Sequence, residues 1–195
     1  SMRAEIMGQD PDLIEGLWKR LWRRHHYAGR GAPVSFALAA VDVALWDMKG
    51  RRLGTPLWRL LGGCNPTIRT YAGNIDLNFP LTQLLEGGTA SVEKGFNGVK
   101  MRLGRPTLAE DLSRVEAMRA HLPDHVELMA DANEAWRVDQ AARFMQMVQP
   151  VGMTWLEEPI GPDNYEGYRH LRSLGLVPLA SGENLHTVAE FTTLL

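Results

Sequence analysis

Three carboxylates, Asp131, Glu157 and Glu183, each follow a short apolar run, and they recur at a constant interval of 26 residues. Lys100 stands 31 residues before the first of them. One βα unit of a (β/α)-barrel takes roughly 31 residues, because about 250 residues make eight units. The same offset in successive units sets such side chains side by side on the C-terminal face of a parallel sheet, where α/β proteins carry their sites. Converging carboxylates repel one another unless a cation neutralises them. An all-oxygen donor set suits a hard divalent ion, of which Mg²⁺ is the common case. Acids at strand ends can instead cap the next helix or pair with surface cations. The regular period, with a lysine one unit earlier, favours the metal.

The elements that must position these groups are legible from Ile68 onward. Strand-like runs at 68–72, 98–103, 128–130, 153–156 and 177–180 alternate with helical patterns. Thr107-Leu108-Ala109-Glu110 and Thr187-Val188-Ala189-Glu190 read as capping boxes that open helices. Ala141–Val148 and Tyr165–Leu174 fill two further helical slots, and a weaker helix between Leu81 and Lys94 carries Gly87-Gly88. Alternating units of this length predict a parallel sheet, open or closed into a barrel.

Ahead of Ile68 the pattern is helical. Asp10-Pro11 reads as the start of a helix with Leu13, Leu17, Leu21 and Ile14, Trp18, Trp22 at spacing four. Its end, Arg23-Arg24-His25-His26, complements the helix dipole. Gly29–Pro33 is expected to be a loop. Ser35–Lys49 reads as a nearly all-apolar helix closed by Gly50. Its acids, Asp42 and Asp47, then need buried partners, which Arg51, Arg52 or Arg59 can supply. Pro56–Leu61 is a short further turn, and Gly62-Gly63 ends this part.

Composition narrows the function classes. With 45% hydrophobic and 23% charged residues in 195, the chain is expected to fold as an ordinary globular protein. A net charge of -2 leaves no basic surplus for a phosphate backbone, so no nucleic-acid partner is expected. The apolar stretch Phe36–Trp46 is broken by Asp42 and is too short to span a bilayer, so no membrane partner is expected either. Cys64 is the single cysteine, which excludes an intramolecular disulfide and, with no signal-like start, suggests the cytoplasm.

The segment Ala39-Ala40-Val41-Asp42-Val43-Ala44-Leu45-Trp46-Asp47-Met48-Lys49-Gly50, continuing through Gly54-Thr55-Pro56-Leu57 to Gly62-Gly63, resembles the signature of the mandelate racemase/muconate lactonizing enzyme family of the enolase superfamily. The resemblance continues through Val99-Lys100-Met101-Arg102-Leu103-Gly104, Met129-Ala130-Asp131-Ala132-Asn133, Trp155-Leu156-Glu157-Glu158-Pro159 and Ser181-Gly182-Glu183-Asn184. It implies an α/β fold: about five strands of a TIM-type (β/α)-barrel over residues 67–195, preceded over 1–66 by the helical end of an α+β capping domain. It implies Asp131, Glu157 and Glu183 as Mg²⁺ ligands at the third, fourth and fifth barrel strands. Lys100 then matches the first lysine of the family's Lys-x-Lys pair, Asn133 falls where polar residues line the substrate site, and Glu158 is an outward partner of Glu157. The implied activity is removal of the α-proton from a small carboxylic acid to give an enediolate, and the implied assembly is a homo-oligomer.

Two departures shape that expectation. Arg102 replaces the second lysine of the pair. Arginine stays protonated in proteins, so it is suited to holding a carboxylate or stabilising an enediolate rather than to taking a proton. This favours acid-sugar dehydration over racemase, epimerase or cycloisomerase chemistry. About 130 residues follow Ile68, against about 250 for a whole barrel. None of the six histidines matches the family's histidine-aspartate dyad, and His186 reads as a helix-start or supporting residue. The alternative from another class is a non-catalytic structural or assembly module that keeps the carboxylates by descent.

Overall fold

Short parallel strands, whose successive side chains point to opposite faces, organise the part of the chain that carries the predicted site. The structure is a computed structural model that describes residues 2–28 and 31–195. It divides into two compact units, one comprising the chain up to Ile68 with His186–Thr192, the other Arg69–Leu185 with Thr193–Leu195.

In chain order the elements are α1 (Arg3–Ile6), α2 (Ile14–His25), α3 (Ala32–Arg52), α4 (Leu57–Leu60), β1 (Ala72–Gly73), α5 (Leu81–Glu93), β2 (Gly98–Arg102) and α6 (Leu108–His121). Then come β3 (Glu127–Asp131), α7 (Val138–Val148), β4 (Trp155–Glu157), α8 (Tyr165–Ser173), β5 (Leu179–Ala180) and α9 (Val188–Leu194).

In the second unit the described strands form one parallel sheet in the order β1-β2-β3-β4-β5. Chain order and spatial order coincide, as expected of successive βα units. Val99, Met101, Leu128, Ala130 and Leu156 lie on one face and join Val115, Met118, Phe144, Met145 and Leu171 of the helices in a single buried core. Side chains alternate along a strand, so Lys100, Arg102, Met129, Asp131, Trp155 and Glu157 occupy the opposite face.

The strands at the sheet's ends are shorter than expected. Of the expected 68–72 run only Ala72 pairs, with Val99, followed by Gly73 with Lys100, and Ile68 is exposed. β4 and β5 begin two residues later than their apolar runs, at Trp155 and Leu179. The helix across Gly87-Gly88 forms because Gly88 allows close approach: a Cβ there would lie 2.8 Å from Met118 Sδ. The Thr107 capping box is present, with Thr107 Oγ1 accepting from Glu110 N at 3.2 Å and Glu110 Oε2 from Thr107 N at 3.1 Å. The Thr187–Glu190 box forms likewise, and the His186 N–H also donates to Glu190 Oε2, placing His186 at the helix start.

Several features of the first unit correct the sequence reading. Asp10 does not cap a helix at Pro11: its carboxylate accepts from Asp12 N at 2.9 Å, closing a local turn, and α2 begins at Ile14. Ile14, Leu17 and Leu21 form the buried stripe of α2, while Trp18 and Trp22 stack on each other at 5.4 Å. The loop expected at Gly29–Pro33 lies partly outside the described residues, at Gly29 and Arg30, and Pro33 is already inside α3.

Gly50 is not the terminal glycine of α3. Gly54 takes the left-handed position (φ 59°), with Gly54 N donating to Arg51 O and Thr55 N to Gly50 O. Gly50 instead gives room for the returning chain, since a Cβ there would lie 3.0 Å from Thr55 O. Asp42 and Asp47 are not buried. Asp47 is exposed and pairs with Arg51 at 2.7 Å, while half-buried Asp42 has its carboxyl raised by desolvation and then by Glu15. Arg52 pairs with Asp12, and Arg59 lies over the Trp58 ring. No described helix is long and apolar enough to cross a membrane.

Two stability predictions follow from polar groups sealed into the second unit. Asp111 is fully buried at the start of α6, and its carboxylate accepts the Gly104 and Arg105 backbone N–H groups at 3.1 Å. Asp111→Ala leaves both donors unsatisfied and should cost about 3 kcal/mol, measured by urea denaturation, with Asp111→Asn losing less. Tyr168 donates to Ile160 O at 2.9 Å, and burial pushes its phenol up to about 12. Its folded pKa lies above the unfolded value of about 10, so its contribution is whole below pH 10 and fades as pH rises through about 12. Urea midpoints at pH 9 and 11.5 should therefore differ more in the wild type than in Tyr168→Phe.

Candidate functional site

Strand register delivers the first two carboxylates. Arg102 is level with Asp131, and Asp131 with Glu157, across three adjacent parallel strands. Glu183 arrives differently. Glu157 is level with Ala180, so Glu183 lies three residues beyond that level, on the loop after β5. Gly182, at φ 133°, turns this loop back. Asp131, Glu157 and Glu183 then each offer an oxygen within 4.8 Å of the other two. Asp131 is buried, Glu157 half-buried and Glu183 exposed, a graded opening from core to solvent. An all-oxygen donor set of this spacing fits a hard divalent cation.

Cationic side chains brace the carboxylates. Lys100 Nζ donates to Asp131 Oδ2 at 3.0 Å and to Glu157 Oε2 at 2.8 Å. Burial alone would push the Lys100 ammonium down, but Glu157 and Asp131 together outweigh it and hold it above the ordinary lysine value. The reason is the anionic pair around it. Arg102 Nη1 donates to Asp131 Oδ2 at 2.6 Å and also to Asn133 Oδ1. The Asn133 N–H donates to Asp131 Oδ1 at 3.0 Å. All six residues singled out from the sequence, Lys100, Arg102, Asp131, Asn133, Glu157 and Glu183, thus belong to one face and one cluster.

Beyond the strand ends the backbone is held in uncommon conformations. Asn133, Glu134 and Glu158 have φ of 41°, 63° and 37°, and such left-handed residues cost about 1 kcal/mol each. Hydrogen bonds from Glu134 N to Glu158 O (2.7 Å) and from Glu158 N to Ala180 O (3.0 Å) hold them there. Glu158 is not one of the three converging carboxylates. It is 1% exposed, its carboxyl is raised by burial and then by the charge of Glu183, and it accepts from Asn184 Nδ2 at 2.9 Å.

Sequence reasoning also missed residues that support the site. Asp76 Oδ1 accepts from Arg102 N at 2.8 Å, and its carboxyl, 2% exposed, is raised chiefly by burial against the lowering pull of the Arg102 N–H and Arg114. Arg114 ties down the same loop through Asp76 O and Phe79 O. Tyr71 lies 6.0 Å from Lys100 Nζ and packs edge-on against Trp155. Tyr71 immediately precedes β1, at the start of its strand rather than the end, so the offset shared by the acids offered no signal for it. Asp76 lies in a loop and offered none.

Comparison with known proteins agrees with this geometry. Residues 84–195 match the enolase C-terminal domain-like family, and residues 1–62 match the mandelate racemase / muconate lactonizing enzyme N-terminal domain. The 3,6-anhydro-alpha-L-galactonate cycloisomerase of Streptomyces coelicolor is 44% identical over 190 residues, covering 97% of this chain and 53% of that protein. A racemase structure from Streptomyces coelicolor A3(2) with bound magnesium superposes with a TM-score of 0.95 at 44% identity, covering 99% of this chain and 54% of that one. The L-talarate dehydratase of Polaromonas sp. JS666, complexed with Mg and L-glucarate, gives 0.89 at 38% identity, covering 99% and 54%. The chain spans about half the length of the relatives it matches. With both family regions matched in order across a shared fold, the chain belongs to the mandelate racemase/muconate lactonizing enzyme family.

Proposed function

We propose that this site binds Mg²⁺ through Asp131, Glu157 and Glu183 and serves removal of the α-proton from a small acid sugar, followed by loss of the β-oxygen. The convergence of three carboxylate oxygens within 4.8 Å of one another, beside Lys100 and Arg102, carries the reading. When bound there, Mg²⁺ would neutralise the carboxylates that keep Lys100 protonated and would offset the charge that builds on the substrate carboxylate.

The chain's own residues divide the remaining work. Arg102, fixed by Asp131 and Asn133, keeps a permanent positive charge beside the developing dianion. Lys100 supplies a second positive charge on the same side, and Asn133 presents a polar side chain at the exposed rim. In the reaction the α-proton goes to a base and its electron pair forms the new carbon–carbon double bond. The β-carbon–oxygen bond then breaks, and the departing hydroxide takes up a proton, balancing the one removed, and leaves as water. The resulting enol becomes a 2-keto-3-deoxy acid.

Arginine in place of a second lysine favours this dehydratase reading over racemisation. A cycloisomerase reading is second, favoured by the 44% identity to a cycloisomerase of an anhydro sugar acid. It would share the first step and differ in the oxygen that leaves. Residues 1–66 as the end of a capping domain, residues 67–195 as the first part of the barrel, a cytoplasmic location and a homo-oligomeric assembly belong to the same proposal.

The test is exchange of the α-hydrogen with deuterium from solvent, followed by proton NMR, over a panel of acid sugars including L-talarate, galactarate and L-glucarate. Exchange should need Mg²⁺ and fall at least about 100-fold in Glu183→Gln, which removes one anionic ligand. Absence of exchange across the panel would overturn the enzymatic reading and leave the non-catalytic module standing.

A further inference from the structure

Asp131 is fixed by Lys100, Arg102 and the Asn133 N–H, and Glu157 by Lys100 and the Trp155 indole, whereas Glu183 is exposed on a loop beyond β5. Something must hold that loop against its neighbours if three oxygens are to stay convergent. The residue next to Glu183 does so. Asn184 Nδ2 donates to Glu158 Oε2 at 2.9 Å and to Glu134 Oε1 at 3.0 Å. Glu158 directly follows Glu157, and Glu134 lies three residues beyond Asp131. A single amide therefore ties the three segments that carry the three candidate ligands.

The anchor at the other end is firm. Glu158 is 1% exposed, and its backbone is bonded on both sides, to Glu134 N and to Ala180 O. Both Glu134 and Glu158 hold left-handed backbone conformations that glutamate seldom adopts, and such strain persists only where the surroundings fix it. An amide donating to carboxylates also forms stronger hydrogen bonds than one between neutral groups.

We infer that Asn184 is a positioning residue for the metal site, setting the placement of Glu183 through its amide bridge to Glu158 and Glu134. The inference rests on the reading of Asp131, Glu157 and Glu183 as ligands. Asn184 touches neither metal nor substrate in this role. Its removal loosens the third ligand without changing the charge of the site.

The test is titration of the 195-residue chain with MnCl₂, reading the free ion by electron paramagnetic resonance and displacing it with MgCl₂. Asn184→Ala should weaken Mn²⁺ binding about 10-fold or more, in the range found for residues that orient metal ligands. Because the variant also leaves the 1% exposed Glu158 carboxylate without its amide donor, affinities are compared at a temperature where urea denaturation shows both proteins fully folded. Glu134→Gln removes a charge but leaves the Asn184–Glu158 contact, and should weaken binding less than Asn184→Ala. Asn184→Ser serves the same purpose should the alanine variant not fold.

Equal affinity in the wild type and the Asn184 variants would overturn the inference while leaving the metal reading intact. A larger loss in Glu134→Gln than in Asn184→Ala would also overturn it, since the field and not the placement of Glu183 would then matter. No Mn²⁺ binding by the wild type would overturn the metal reading, and the inference with it.

Discussion

Lys100 lies between Asp131 and Glu157 at 3.0 and 2.8 Å, and this shared ion pair is the constraint on which the rest of the site depends. Carboxylates from neighbouring strands are brought together by backbone register, and in a partly buried setting their repulsion would otherwise oppose the sheet that creates it. One ammonium serving two acids, with Arg102 added on Asp131, lets the strands close. The same arrangement leaves Glu183 without a share of that compensation and exposed to solvent. The cluster therefore holds two braced carboxylates and one that arrives from a loop.

The support reaches outward from that cluster in layers that can be traced residue by residue. Asp76 holds the Arg102 backbone, Arg114 holds the carbonyls of Asp76 and Phe79, and Asp111 holds the start of the loop after β2. All three are charged and buried, which is costly unless each is hydrogen-bonded. On the other face of the sheet, Val99, Met101, Leu128, Ala130 and Leu156 lock the strands to the helices through apolar packing. The division is a consequence of alternation: every residue given to the site face leaves its neighbours to the core.

Much of this was legible in the residue order. The three acids, the lysine, both threonine capping boxes and the alternation of strands with helices are local or periodic signals, and each survives in the structure. Signals that depended on where a single residue sits were less secure. Asp10 was read as a cap and makes a turn. Gly50 was read as a terminator and accommodates the returning chain, while Gly54 ends the helix. In each case a neighbour distant in the pattern, or a backbone torsion, decided between roles the residue type allows equally.

The even interval of 26 residues between the acids is the sharpest instance. The sequence by itself determined which side chains could meet, since type and period select one face and one end of a parallel sheet. It suggested that all three acids arrive by the same offset, and only the tertiary structure decided otherwise. Asp131 and Glu157 are register neighbours, but Glu183 lies three residues past the register and is returned by a turn at Gly182 and held by Asn184. The physical reason is that periodicity specifies direction along a regular strand, whereas the path of a loop depends on hydrogen bonds to groups elsewhere in the fold. Which carboxylates could meet was a property of the sequence, and their geometry a property of the contacts around them.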